Sequence, residues 1–123
     1  MSYNKLSIGI VGQGFVGTAT KEGLKDTFVV HTYDKYNSDK STCSSLKELS
    51  RKASYIFVCL PTPMRPDGSC DTSIVESTIL ELDSLESAQY PTPSIAIIKS
   101  TVPPGTTKKL NSQCKLLSVV FNP

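Results

Sequence analysis

The chain has no tryptophan, a single histidine and only four cysteines among 123 residues. Cys43, Cys59, Cys70 and Cys114 form no C-x-x-C pair, and His31 alone does not complete a zinc ligand set, so no metal site is expected. The cysteines read as reduced thiols. Cys59, inside an apolar strand, reads as a small buried hydrophobe rather than a nucleophile, and His31, also within a strand, as a packed or edge side chain. No apolar run approaches the roughly 20 residues that cross a bilayer, and the N-terminus lacks the basic region and long apolar core of a signal peptide. A cytoplasmic protein is expected. No run of like charges is long enough to suggest a nucleic-acid or membrane surface, and the net charge of +2, from 13 basic and 11 acidic residues, is uninformative. There are no internal repeats and no low-complexity tract. Residues 1–123 fit one domain, large enough to bury a core without disulfides or metals.

What is present is concentrated at the start. An apolar run over residues 6–11 leads into Gly12-Gln13-Gly14-Phe15-Val16-Gly17, and a second apolar run over residues 28–33 ends on Asp34. Strand, glycine turn, helix, strand and acidic residue together make the dinucleotide-binding fingerprint. Gly12 permits the tight turn, Gly14 lets the backbone approach a pyrophosphate, and Gly17 lets the helix pack on the sheet. The helix N-terminus then faces the phosphates. Asp34 is placed to accept hydrogen bonds from both hydroxyls of an adenosine ribose, which favours NAD over NADP.

The remainder alternates helix with strand. Residues 35–45 are a polar surface loop, and Leu46, Leu49 and Ala53 at helical spacing predict a short helix over about 44–52. Residues 55–60 are continuously apolar, as in a strand covered on both faces of a parallel sheet, and stop at Pro61-Thr62-Pro63. Pro66-Asp67-Gly68 signals a turn. Asp71 or Thr72 can cap a helix whose stripe is Ile74, Val75, Ile79, Leu82 and Leu85, with Glu76, Glu81, Asp83 and Glu86 facing water; residues 90–94, with two prolines, end it. A strand at 95–98, a helix over 108–113 and a last strand at 116–121 follow. The fold class is a doubly wound α/β parallel sheet of expected strand order 2-1-3-4-5, a Rossmann-like architecture. The loops at 12–17, 61–63 and 100–105 all follow strands, so they converge on the edge where ligands bind.

Several of these segments resemble one family, the NAD-dependent nucleotide-sugar dehydrogenases that oxidise UDP-glucose, GDP-mannose or UDP-N-acetylmannosamine to uronic acids. Ile8-Gly9-Ile10-Val11-Gly12-Gln13-Gly14-Phe15-Val16-Gly17 is similar to the family's opening. Val58-Cys59-Leu60-Pro61-Thr62-Pro63, followed by Asp67-Gly68 and Asp71, resembles its second motif, and Lys99-Ser100-Thr101-Val102-Pro103-Pro104-Gly105-Thr106 its third. Phe121-Asn122-Pro123 resembles the start of a fourth. The resemblance implies that Gly12, Gln13, Gly14, Phe15, Val16 and Gly17 lie at the pyrophosphate of NAD and Asp34 at the ribose. Leu60, Pro61 and Thr62 would run along the cofactor, with Ser100, Thr101 and Val102 near the nicotinamide. Thr101 matches the threonine that helps the family to orient a catalytic water. The same Ser100-Thr101 pair also fits a turn built for its prolines and glycine, and both readings stand at this point.

The chain departs from the family in a shorter stretch between Asp34 and Ile56, which implies that an additional strand is absent. Asp39, with Lys40 beside it, stands where a basic residue is usual. The resemblance implies that the family's catalytic cysteine, its supporting lysine and asparagine, its central dimerisation helix and its C-terminal UDP-binding domain would all lie past Pro123, so none is expected within residues 1–123. A cofactor-binding domain, inactive by itself, is therefore expected, with sugar nucleotide a partner only of a full-length parent. Ending at Asn122-Pro123 in mid-motif looks like a cut through a longer protein. The alternative is a stand-alone dinucleotide-binding module that senses, or that works with a separate substrate subunit. The β-hydroxyacid dehydrogenases, with a methionine at the place of Val16 and no Lys-Ser-Thr-Val-Pro-Pro-Gly run, fit less well. Apolar surface around residues 119–121 predicts weak homo-oligomers.

Overall fold

β1 (Ser7–Val11) carries the first apolar run and pairs in parallel with β2 (Val29–Tyr33) on one side and β3 (Tyr55–Val58) on the other. β4 (Ile95–Ile98) and β5 (Ser118–Phe121) extend the sheet, giving the order β2-β1-β3-β4-β5 inferred from the winding. The computed structural model describes residues 6–86 and 95–122; the expected helix stop at 90–94 lies outside them. The helices are α1 (Phe15–Leu24), α2 (Leu46–Lys52), α3 (Ser73–Leu85) and α4 (Thr106–Gln113). The first crossover, through α1, runs back from β1 to β2, while the other three advance across the sheet. Right-handed connection therefore puts α1 on one face and α2, α3 and α4 on the other.

That imbalance decides the core. Leu49, Ile56, Val58, Val75, Ile79, Leu82, Ala96, Ile98 and Leu110 are fully buried beneath α2, α3 and α4. On the opposite face, Ile8 and Ile10 are buried, but Tyr55, Phe57, Ile95 and Ile97 are only half-buried and Val120 is exposed. Among the described residues, the face that α1 occupies is thus covered less fully than the other. One helix is too narrow to cover five strands. β3 also stops at Val58, so Cys59 and Leu60 lie beyond the strand rather than inside it.

Local chemistry sets the helix ends. α2 begins one residue after Ser45, whose hydroxyl accepts from Glu48 N–H at 3.0 Å while Glu48 reaches back to Ser44 N–H at 2.7 Å. This reciprocal arrangement satisfies donors that the first helical turn leaves open. For α3, Thr72 holds the cap position but sends its hydroxyl to Glu76, and the Asp71 carboxylate takes the Ser73 N–H instead.

Two of the acidic residues expected to face water do structural work. Glu76 pairs with Lys109 of α4 at 2.8 Å. Asp83 accepts from the N–H groups of Lys115, Leu116 and Leu117 at 2.8–3.0 Å, pinning the approach to β5. Ile74 departs in the other direction: it is 40 % exposed, at the ligand edge rather than in the stripe. At the outer strand, Asn111 donates to Val119 C=O at 2.8 Å and accepts from Val119 N–H at 2.9 Å, closing part of the open backbone edge. Val119 is buried, so the uncovered apolar surface expected at 119–121 reduces to Val120 and Phe121.

Candidate functional site

The carboxyl ends of parallel strands share one edge, and there β1, β2, β3 and β4 open into a cleft of about 680 Å³. Gly12, Gly14, Phe15 and Val16 form its floor after β1, with Asp34 after β2. Leu60, Pro61 and Thr62 enter from β3, and Ser100 and Thr101 from β4. Ten of the sequence-selected residues are thereby brought together. Gln13, Gly17 and Val102 stand behind the lining. The Gln13 side chain is buried with its amide on Gly12 C=O, Gly17 packs against the turn, and Val102 packs on the core.

The three glycines separate by cause. Gly12 has φ +95°, and a Cβ there would collide with the Cys59 carbonyl; a Cβ at Gly17 would collide with the Gly12 carbonyl. Both positions are explained by the protein's own packing. Gly14 is not, because a Cβ there meets nothing within 4 Å. Gly14 lines the cleft, so a side chain added there would stand in open space at the ligand edge. Gly17→Ala is accordingly expected to lower stability by about 1–3 kcal/mol, while Gly14→Ala folds normally and loses dinucleotide affinity. Denaturant melts and titrations of the two variants would separate these effects, and a destabilised Gly14→Ala would contradict the assignment.

Just beyond Gly14, the first intrahelical bond of α1 is Thr18 N–H to Gly14 C=O at 3.0 Å, which leaves the N–H groups of Phe15, Val16 and Gly17 ahead of the ladder. No side chain caps this end and its first turn holds no acidic residue. The positive end of the helix dipole is therefore free to meet an anion.

Asp34 sits opposite. Its Oδ2 accepts from Gln13 N–H at 2.6 Å and from the Asn37 amide at 3.1 Å, and its Oδ1 from Tyr36 N–H at 2.8 Å. Burial pushes its pKa up, but these hydrogen bonds outweigh it and hold the carboxyl below the usual range. An ionised carboxylate offers about four acceptor sites. Three are occupied, and Asn37 holds the one that a side-chain rotation can release. The fit to NAD is thus physical: amides and a helix end for the pyrophosphate, and an ionised acceptor for the ribose diol.

Other candidates fall away. Cys59 lines the cleft, but burial pushes its thiol up, away from the thiolate that a nucleophile needs. The four cysteines are free thiols, and among the described residues no group of His, Cys, Asp and Glu could hold a metal ion. No described helix is long and apolar enough to cross a membrane. Sequence reasoning did not select the second wall of the cleft, where Tyr33, Leu46, Ile74 and Thr78 contribute. All four lie within helical or strand patterns, where periodicity alone gives no sign that a position borders a ligand.

Comparison with known proteins gives the family. Residues 23–122 match the UDP-glucose/GDP-mannose dehydrogenase family, NAD binding domain, a match that begins after the glycine loop. The chain is 37% identical over 90 residues to the "Putative UDP-glucose 6-dehydrogenase YtcA" of Bacillus subtilis, covering 68% of this chain and 20% of that protein. A UDP-glucose dehydrogenase from Pyrobaculum islandicum superposes with a TM-score of 0.85 at 24% identity, over 98% of this chain and 36% of that one. GDP-mannose dehydrogenase from Pseudomonas aeruginosa gives 0.74 at 19% identity, over 94% and 35%. These two superpositions establish the fold. The chain spans a fifth of its curated relative and about a third of each solved chain. This chain belongs to the UDP-glucose/GDP-mannose dehydrogenase family, as its NAD-binding domain.

Proposed function

We propose that the chain is the cofactor half of a nucleotide-sugar 6-dehydrogenase, binding NAD but not oxidising sugar nucleotide by itself. The observation that carries this reading is the pairing of an unobstructed Gly14 with the ionised Asp34 across one cleft, in a chain of this family. NAD, when bound, supplies the hydride acceptor. The residues of the chain bind and orient it: the amides at 15–17 hold the pyrophosphate, Asp34 takes the ribose, and Leu60, Pro61 and Thr62 flank the nicotinamide half. Thr101, exposed at the end of β4, is the candidate for orienting a water in the parent enzyme. UDP-glucose, UDP-N-acetylmannosamine and GDP-mannose are the substrate class, met by residues outside this chain. A cytoplasmic setting fits such a reaction, and the exposed Val120 and Phe121 fit weak self-association.

The test is an NADH titration by nicotinamide fluorescence, which no tryptophan in the chain can obscure. Saturation is expected in the roughly micromolar-to-millimolar range, stronger for NADH than for NADPH. NAD with UDP-glucose should yield no NADH. Absence of saturable binding would refute the cofactor assignment, and turnover would refute its inactivity in isolation.

A further inference from the structure

The last backbone rung between β3 and β4 is Lys99 N–H to Val58 C=O at 2.9 Å. Beyond it the two chains part to form the cleft, and the next rung is made by a side chain. Ser100 Oγ accepts from Leu60 N–H at 2.9 Å and donates to Leu60 C=O at 2.6 Å, with Val58 C=O at 3.3 Å. One hydroxyl thus satisfies both main-chain groups of Leu60. The serine is only 7 % exposed, so water is a poor substitute for it.

Leu60 is a junction. Its side chain comes within 3.3 Å of where a Cβ on Gly12 would stand, it packs on the core, and it leads directly into Pro61 and Thr62 at the cleft. With adenosine over β2 at Asp34 and pyrophosphate over β1, the rest of a dinucleotide extends toward β3 and β4. We infer that Ser100 is a positioning residue for the nicotinamide half of the cofactor, acting through the Leu60 peptide rather than by touching the ring. The inference rests on the proposed function and adds a role to it: the hydroxyl is committed to Leu60, and Thr101 is the neighbour left open to the site.

The geometry explains why serine serves here. A residue with no hydroxyl would leave Leu60 N–H and C=O without partners, and the segment 60–62 would relax away from the cleft. The adenosine half, held by Asp34 and the start of α1, would be undisturbed.

Ligands with and without nicotinamide give the test, with NADH and ADP-ribose titrated against the full chain. Ser100→Ala is expected to weaken NADH on the order of tenfold while ADP-ribose affinity stays within about twofold. Ser100→Thr, which keeps the hydroxyl, should restore NADH binding and the shift of its emission. Should Ser100→Ala fail to fold, Ser100→Cys, with a weaker hydrogen-bonding thiol, allows the same comparison. Equal losses for both ligands would overturn the inference by making Ser100 a general staple of the fold. Unchanged NADH affinity would overturn it as well. Failure of the wild-type chain to bind ADP-ribose would instead refute the site reading beneath it, and the inference would fall with that reading.

Discussion

Asp34→Ala is expected to lower NADH affinity on the order of a hundredfold and to erase the preference over NADPH. Two losses combine. Hydrogen bonds from neutral hydroxyls to an ionised acceptor are stronger than neutral pairs, and the variant forfeits those offered to the ribose diol. It also frees Gln13 N–H, so the glycine loop loses its tie across the cleft to β2. The ribose can use both carboxylate oxygens only by displacing the Asn37 amide from Oδ2. Asn37→Ala should therefore bind NADH no more weakly than the wild type does. The expected preference over NADPH has a simple electrostatic source, since a 2′-phosphate would be set beside a carboxylate whose pKa is held down. Because that pKa is low, NADH affinity should stay flat from neutral pH down to about pH 5. A titration in which Asp34→Ala binds NADH within about threefold of wild type would remove Asp34 from the ribose site.

Asp83→Ala is expected to cost about 2–4 kcal/mol of stability without touching the cleft. Three consecutive N–H groups, those of Lys115, Leu116 and Leu117, converge on this carboxylate. Burial alone would raise its pKa, but the amides of Leu117, Leu116 and Lys115 and the Lys115 charge more than offset this and lower it. The sign of the pH effect follows. A group whose folded pKa is depressed contributes fully above its unfolded value near 4, and the contribution is lost as pH falls through the folded value. Wild type and variant should differ most at neutral pH and converge in strong acid. Denaturant unfolding at both pH values reads the difference directly; a gap under about 0.5 kcal/mol at neutral pH would show that water replaces the carboxylate.

The two residues illustrate different degrees of legibility. The place of Asp34 was readable because it is tied to a position in a motif: it follows the strand after a glycine turn, and it lies at the cleft within hydrogen-bond reach of that turn. Asp83 was not. On the helical wheel it belongs to the polar side of α3 and reads as solvated, yet its partners lie 32–34 residues further along the chain, where the approach to β5 happens to pass. Ser100 lies between these cases. Sequence could place it at the cleft by its location after a strand but left its chemistry open, because the rival readings differ only in where one hydroxyl points.

From the sequence alone came the alternation of strands and helices, the order 2-1-3-4-5, the edge where the cleft opens and NAD as the cofactor. All of these follow from local periodicity, glycine sterics and the handedness of crossovers, which need no knowledge of distant contacts. The tertiary structure alone decided how far each face of the sheet is covered: among the described residues Phe57 and Ile97 are half-buried and Val120 is exposed. It likewise decided that Ser100 clamps Leu60, that Asn111 closes the edge at Val119, and that Asp83 gathers three amides. The reason is common to all of them. A side chain's partner across the fold is set by where two separately formed segments meet, and no local rule of the chain records that distance.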